Sequence, residues 1–180
     1  MSETKVITGK VRFSYAHVFK PHAMDEGETP KYSVSLIIPK KDKKTIKKIE
    51  DACKAALEVG KDKFGGKIPK NLKMPLRDGD EEREDDPNFE GCMFVNANST
   101  TKPGIVDADV EPILDQEEFY SGCYGRASIV FFAYNKAGNK GVACALNNLQ
   151  KLEDGDRLAG GGSTPEEDFG EDAGGDDMFD

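Results

Sequence analysis

The residues best suited to chemistry lie in one segment, 124–134 (YGRASIVFFAY), whose alternate positions differ in kind. Gly125, Ala127, Ile129, Phe131 and Ala133 are small or apolar and suit a barrel interior. Tyr124, Arg126, Ser128, Val130, Phe132 and Tyr134 form the other face, with rings beside a cation and a hydroxyl. That combination serves unpaired bases. A ring stacks on a base for roughly 1–3 kcal/mol, and the cation meets a phosphate. A plain strand with Val130 and Phe132 packed under a helix would alternate in the same way.

Further cations are spaced to join such a groove. Lys10, Arg12 and Lys31 fall on the polar faces of two earlier strand-like runs. Lys102, Lys136 and Lys140 fall in turns near strand ends, where the loops of a small barrel clamp a strand. Tyr15, His17 and Phe19 follow the first run in a loop-like stretch, and either stack on bases or staple that loop to the body.

Catalytic patterns are missing. The chain has no Gly-x-x-x-x-Gly-Lys-Ser/Thr loop and no Gly-x-Ser-x-Gly elbow. Its acids lie chiefly in a loop and a tail, where ligand geometry cannot be held. Asp107, Asp109 and Glu111 are the one cluster that falls elsewhere. His17 and His22 stand without a nearby thiol and make a poor zinc site. Cys53, Cys92, Cys123 and Cys144 are far apart and read as reduced thiols, mostly buried. The expectation is a protein that is not an enzyme and takes no metal and no cofactor.

The elements that must position these residues are mostly strands. Residues 5–13 alternate weakly. Residues 31–38 alternate cleanly, with Tyr32, Val34, Leu36 and Ile38 on one face. A helix follows, with Asp42 as N-cap and Gly60 as its stop. Ile46, Ile49, Cys53, Ala56 and Leu57 make its apolar face, and Lys43, Lys44, Lys47, Lys48 and Lys54 its charged one. Residues 61–90 are rich in Gly, Pro and charge and read as an irregular connection, with an edge strand over 72–76 and a mobile acidic block. Strands are expected again over 91–99, 105–110, 124–134 and 142–150, the last two joined by turn chemistry at 135–141. Five or six strands with one inserted helix suit a mainly β protein. An OB-fold, a five-stranded Greek-key barrel, is one solution; an SH3-like barrel or a small sandwich would give the same pattern.

The net charge of −9 argues against nucleic acid until it is divided along the chain. From Glu153 onward, 11 acids stand against Arg157, which leaves residues 1–152 at +1. The block 78–90 holds eight acids and Arg83, and without it the body stands at +8. A basic body with segregated acids is compatible with a phosphate backbone as partner. Residues 1–152 are expected to form the binding domain and 153–180 a disordered acidic tail. Phe169 and the terminal Asp176, Asp177, Met178, Phe179 and Asp180 give that tail apolar anchors among acids, the pattern of a partner-binding peptide. The same tail could lie in the groove as a phosphate mimic. No run approaches a membrane span and no signal-peptide core follows Met1, so a cytoplasmic location is expected.

Two blocks resemble a family of phage-encoded single-stranded DNA-binding proteins, long known only as a domain of unknown function (DUF2815). One runs from Phe119 to Ala127 (FYSGCYGRA) and the other from Gly141 to Gly155 (GVACALNNLQKLEDG). The resemblance covers roughly residues 5–160. It implies an OB-fold and sequence-tolerant binding of single-stranded DNA in phage replication, recombination or repair, in the host cytoplasm. It also implies a tail that recruits replication or recombination proteins and modulates DNA affinity. In this chain the tail aromatic is penultimate, before Asp180. A homodimer is left open. The competing reading is an acidic DNA mimic or anti-defence protein that binds a DNA-processing enzyme, and the basic body speaks against it.

Overall fold

A computed structural model describes residues 4–23, 27, 29–136 and 139–158. The tail residues Phe169 and Asp176 to Asp180 lie outside them. The strands are β1 (Lys5–Ile7), β2 (Val11–His22), β3 (Lys31–Pro39), β4 (Leu76–Asp78), β5 (Cys92–Ser99), β6 (Gly104–Val106), β7 (Tyr124–Lys136) and β8 (Asn139–Glu153). Helix α1 spans Lys43–Val59, and α2 is a single turn at Gly79–Glu82.

Five strands pair in a closed ring. β2 lies between β7 and β3, β3 pairs with β5, β5 runs parallel to β8, and β8 returns to β7. This is the OB-fold barrel, with one parallel seam and four antiparallel ones. The parallel seam is thin: β5 meets β8 at Asn98 and Ala145. Residues 73–78 fill the rest of it. Lys73 bonds the backbone of Lys140 and Val142 on one side, at 3.0 and 2.9 Å. β4 pairs with Val95, Phe94 and Met93 of β5 on the other.

The interior is filled by the alternate residues that the sequence marks as apolar. Phe13, Val34, Leu36, Ile38, Val95, Ala97, Ala127, Ile129 and Phe131 are all buried. Helix α1 is laid against β7, β1 and β8 by Ile49, Ala52, Cys53 and Ala56. Its first turn is capped by Asp42, whose carboxylate accepts from the Thr45 amide at 3.2 Å. Its end is set by Gly60, where a Cβ would press on Ala133. Burial pushes the Cys53 thiol up to about 12, so it carries no thiolate at neutral pH.

Two expectations are corrected. Residues 14–22 are strand, not loop: β2 runs through to His22. Its alternation is hidden by a bulge, where Tyr15 takes a positive φ of 48° and the register against β3 shifts. The acidic block is also held in place. Phe89 is fully buried on the outer side of the sheet against Ile37 and Phe94, with its ring edge-on to Phe94 at 5.2 Å. Lys40 binds Asp78 and Asp80 at 2.9 and 2.8 Å, and Arg77 binds Glu82 at 2.9 Å. Asp80 also accepts from the Gly91 amide at 2.9 Å.

Truncating a buried Phe costs about 3–5 kcal/mol. Here the cost falls on a cluster separate from the main core. Phe89→Ala is therefore expected to open residues 79–90 to limited proteolysis while the barrel's melting temperature stays nearly unchanged. Barrel and block melting together at a lower temperature would contradict this.

Candidate nucleic-acid interface

In an OB-fold, ligands cross the face of the second and third barrel strands, between the loops that join strands one to two and four to five. Those strands are β3 and β5 here, and the loops are the β2–β3 connection and the β7–β8 turn. Val34, Leu36 and Ile38 turn inward; on the opposite side Ser33 is half-buried and Ser35 is buried. Asn96 and Asn98 of β5 are exposed beside them. The register aligns two polar rungs: Ser14, Ser35 and Asn96 on one, His17, Ser33 and Asn98 on the other. The Ser35 hydroxyl donates to the Asn96 side-chain carbonyl at 2.5 Å. Ser14 and Ser35 are buried beneath this face, and Ser33, Asn96 and Asn98 are the groups a base edge can reach; hydroxyls and amides both donate and accept.

Aromatic surface and cations border the floor. His17 and His22 stack, ring centroids 4.2 Å apart and planes 10° off parallel. Burial, and next the charge of His22, hold the His17 imidazole below its ordinary value of 6.5. Lys31 pairs with His22 at the start of β3 and is exposed. Lys102, just beyond β5, lies 5.4 Å over the Phe19 ring. Lys136 and Lys140 mark the β7–β8 turn.

The far end of the face is acidic. The block on Ile37 and Phe94 forms an open cleft of about 460 Å³ with Tyr15, where Glu81, Glu82, Glu84, Asp85 and Asp86 outnumber a single cation, Arg83. The Tyr15 ring leans on Phe89, 6.5 Å between centroids. A phosphate there would meet like charge, so Tyr15 sits where a strand is least favoured.

The remaining sequence-predicted residues gather elsewhere. Tyr124 has Lys10 and Arg12 over its ring at 5.4 and 5.3 Å. Lys10 binds Glu153 at 2.8 Å. Arg12 donates to the carbonyls of Gly122 and Asp156, at 3.1 and 2.8 Å. That clamp, with Tyr120 bonded to Asp154 and Gly155, ties residues 154–158 to the body, past the boundary expected after Leu152. Arg126 donates twice to the Gln150 side-chain carbonyl. Phe132 is 43% exposed opposite Ala143, and Tyr134 stands opposite Gly141. The structure thus separates the Tyr124 group from Lys31 and Lys102. The alternation did not flag Asn96 and Asn98, although asparagine at two alternate positions of a strand departs from β propensity and was a readable signal.

The closed ring defines the class: an OB-fold protein, here with a polar outer face on β3 and β5. The family model described as the single-stranded DNA-binding protein of Enterobacter phage Enc34 matches residues 4–179, and the chain belongs to that family. The Enc34 single-stranded DNA-binding protein in complex with ssDNA is 27% identical, with a TM-score of 0.76 over 86% of this chain and 89% of that one. "Putative protein p50" of Acyrthosiphon pisum secondary endosymbiont phage 1 is 29% identical over 175 residues, 92% of each chain. The single-stranded DNA-binding protein gp2.5 of bacteriophage T7 shares the fold at 17% identity and a TM-score of 0.61, over 92% of this chain and 93% of that one.

An NMR titration should place the His17 pKa below 6.5. His22→Asn should raise it only part of the way, because burial is the larger cause. A folded-state pKa below the unfolded one leaves stability full above the unfolded value and lowers it as pH falls through the folded one. Titration of His17 at or above 6.5 in the wild type would contradict the packing described.

Proposed function

We propose that this protein binds single-stranded DNA across the outer face of β3 and β5, without strong sequence preference and without a catalytic step. It works in the cytoplasm of a phage-infected host during DNA replication, recombination or repair. The observation that carries the reading is the contrast between two outer faces. On β3 and β5, uncharged hydrogen-bonding groups lie open with Lys31 and Lys102 beside them. Around the start of β7, Lys10 and Arg12 at the head of β2 and Arg126 of β7 are already engaged by the protein's own acceptors, which a phosphate would have to displace. Tyr124, Lys10 and Arg12 then act as the fastening of the chain's exit from the barrel. Phe132 and Tyr134 remain a stacking surface toward the β7–β8 turn.

The acidic block bounds the face at its Ile37 and Phe94 end, which keeps the strand on the Ser33, Asn96 and Asn98 side. The tail beyond residue 158, with Phe169 and the terminal Asp176, Asp177, Met178, Phe179 and Asp180, recruits replication or recombination proteins and competes with DNA for the cationic surface. Its composition supports both roles.

Fluorescence anisotropy with labelled oligo(dT) over a salt series tests the reading. Removing one cation that pairs with a phosphate of a single strand flattens the log–log salt slope by about 0.7. Lys31→Gln with Lys102→Gln should weaken binding and flatten the slope by about 1.4 on that rule, while Arg126→Gln should leave it unchanged. The reverse pattern would move the strand to β7. No binding by the wild type even at low salt would favour the DNA-mimic reading.

A further inference from the structure

The connection from α1 to β4 carries more positive charge than its structural role requires. Residues 61–75 hold Lys61, Lys63, Lys67, Lys70 and Lys73 against one acid, Asp62. All five lysines are exposed. The segment is fixed to the β7–β8 turn at both ends. Lys63 donates to the Ala133 carbonyl at 2.9 Å, and Asn135 returns a bond to the Lys63 carbonyl at 2.9 Å. Lys73 bonds the backbone of Lys140 and Val142, and its ammonium reaches the Asn139 side chain at 3.2 Å. Gly141 permits this approach, since a Cβ there would collide with the Lys73 carbonyl. The turn adds Lys136 and Lys140. Seven lysines are thus collected at one corner of a protein whose net charge is −9. None is in an ion pair among the described residues.

Like charges held together repel, and no ion pair of Lys61, Lys67 or Lys70 offsets that repulsion among the described residues. Lys63 and Lys73 do the anchoring, through backbone bonds and through their ammonium groups, while Lys61, Lys67 and Lys70 are exposed to solvent. Their chemistry fits a ligand with regularly spaced negative charge. In an OB-fold the loop between the fourth and fifth strands borders the face of the second and third, and the β7–β8 turn is that loop here.

We propose that the 61–73 connection and the β7–β8 turn form a second phosphate-binding track, on which a single strand continues after leaving the barrel face. The inference rests on the proposed single-strand reading and extends its footprint. A short strand fills the barrel face alone, and a longer one gains the lysine corner.

The test uses the full chain and two oligo(dT) probes, one of about 8 nucleotides, within the reach of one OB-fold, and one roughly three times longer. The variant is Lys61→Gln, Lys67→Gln, Lys70→Gln, which leaves the anchoring Lys63 and Lys73 in place. With three cations removed from the track, its salt slope on the long probe should flatten by about 2, and its affinity for the short probe should be unchanged. The matching triple Lys→Arg variant should keep the wild-type slope. Unchanged binding of both probes by the Gln variant would overturn the second track and leave the barrel-face reading standing. An equal weakening on both probes would also overturn it, since the lysines would then belong to the first site. Failure of the wild type to bind either probe would instead sink the underlying reading.

Discussion

A five-stranded ring closes only if its last strand reaches its third, and here that contact is a single registered pair. β8 meets β5 at Asn98 and Ala145. It gets there because β7 and β8 form a long hairpin whose register shifts near Ser128 and Ile129 and again at Tyr124. Such irregularities add twist and bend the pair around the core. What remains of the seam is closed by residues from the insertion between β3 and β5. The insertion is therefore part of the barrel wall as well as a decoration on it, and its charges are carried to fixed places.

Those places explain the uneven electrostatics of the chain. Before the seam, the insertion passes the β7–β8 turn and leaves its lysines there. After the seam, it turns over the outer sheet, where Phe89 packs on Ile37 and Phe94 and holds the acids at one end of the polar face. On the proposed course, a strand of phosphates would meet attraction at one corner and repulsion at the other, with uncharged hydrogen-bonding groups between. The net charge of −9 describes none of this. Only its distribution bears on binding.

The parts legible in the sequence were those governed by local rules. Strict alternation marked the interior residues of β3 and β7, and Val34, Leu36, Ile38, Ala127, Ile129 and Phe131 are buried. The caps of α1 stood at Asp42 and Gly60. The resemblance carried by 119–127 and 141–155 pointed to the family that the chain belongs to. Less legible were elements set by distant partners. β2 was cut short because a bulge at Tyr15 breaks the period. The acidic block looked mobile because nothing nearby in sequence shows that Phe89 packs on Ile37 of β3. At the interface, outward-facing cations were recognised on Arg12 and Arg126, but alternation gives only the face of a side chain. It does not reveal that Gly122, Asp156 and Gln150 already take up their donors.

The most direct test of the strand's course is a backbone and side-chain amide NMR map of the full chain with and without oligo(dT). Binding across β3 and β5 predicts the largest shifts at Ser33, Ser35, Asn96 and Asn98, the Asn side-chain amides included. Shifts confined to Arg126, Ser128, Val130 and Phe132, with the β3 and β5 signals unmoved, would contradict it.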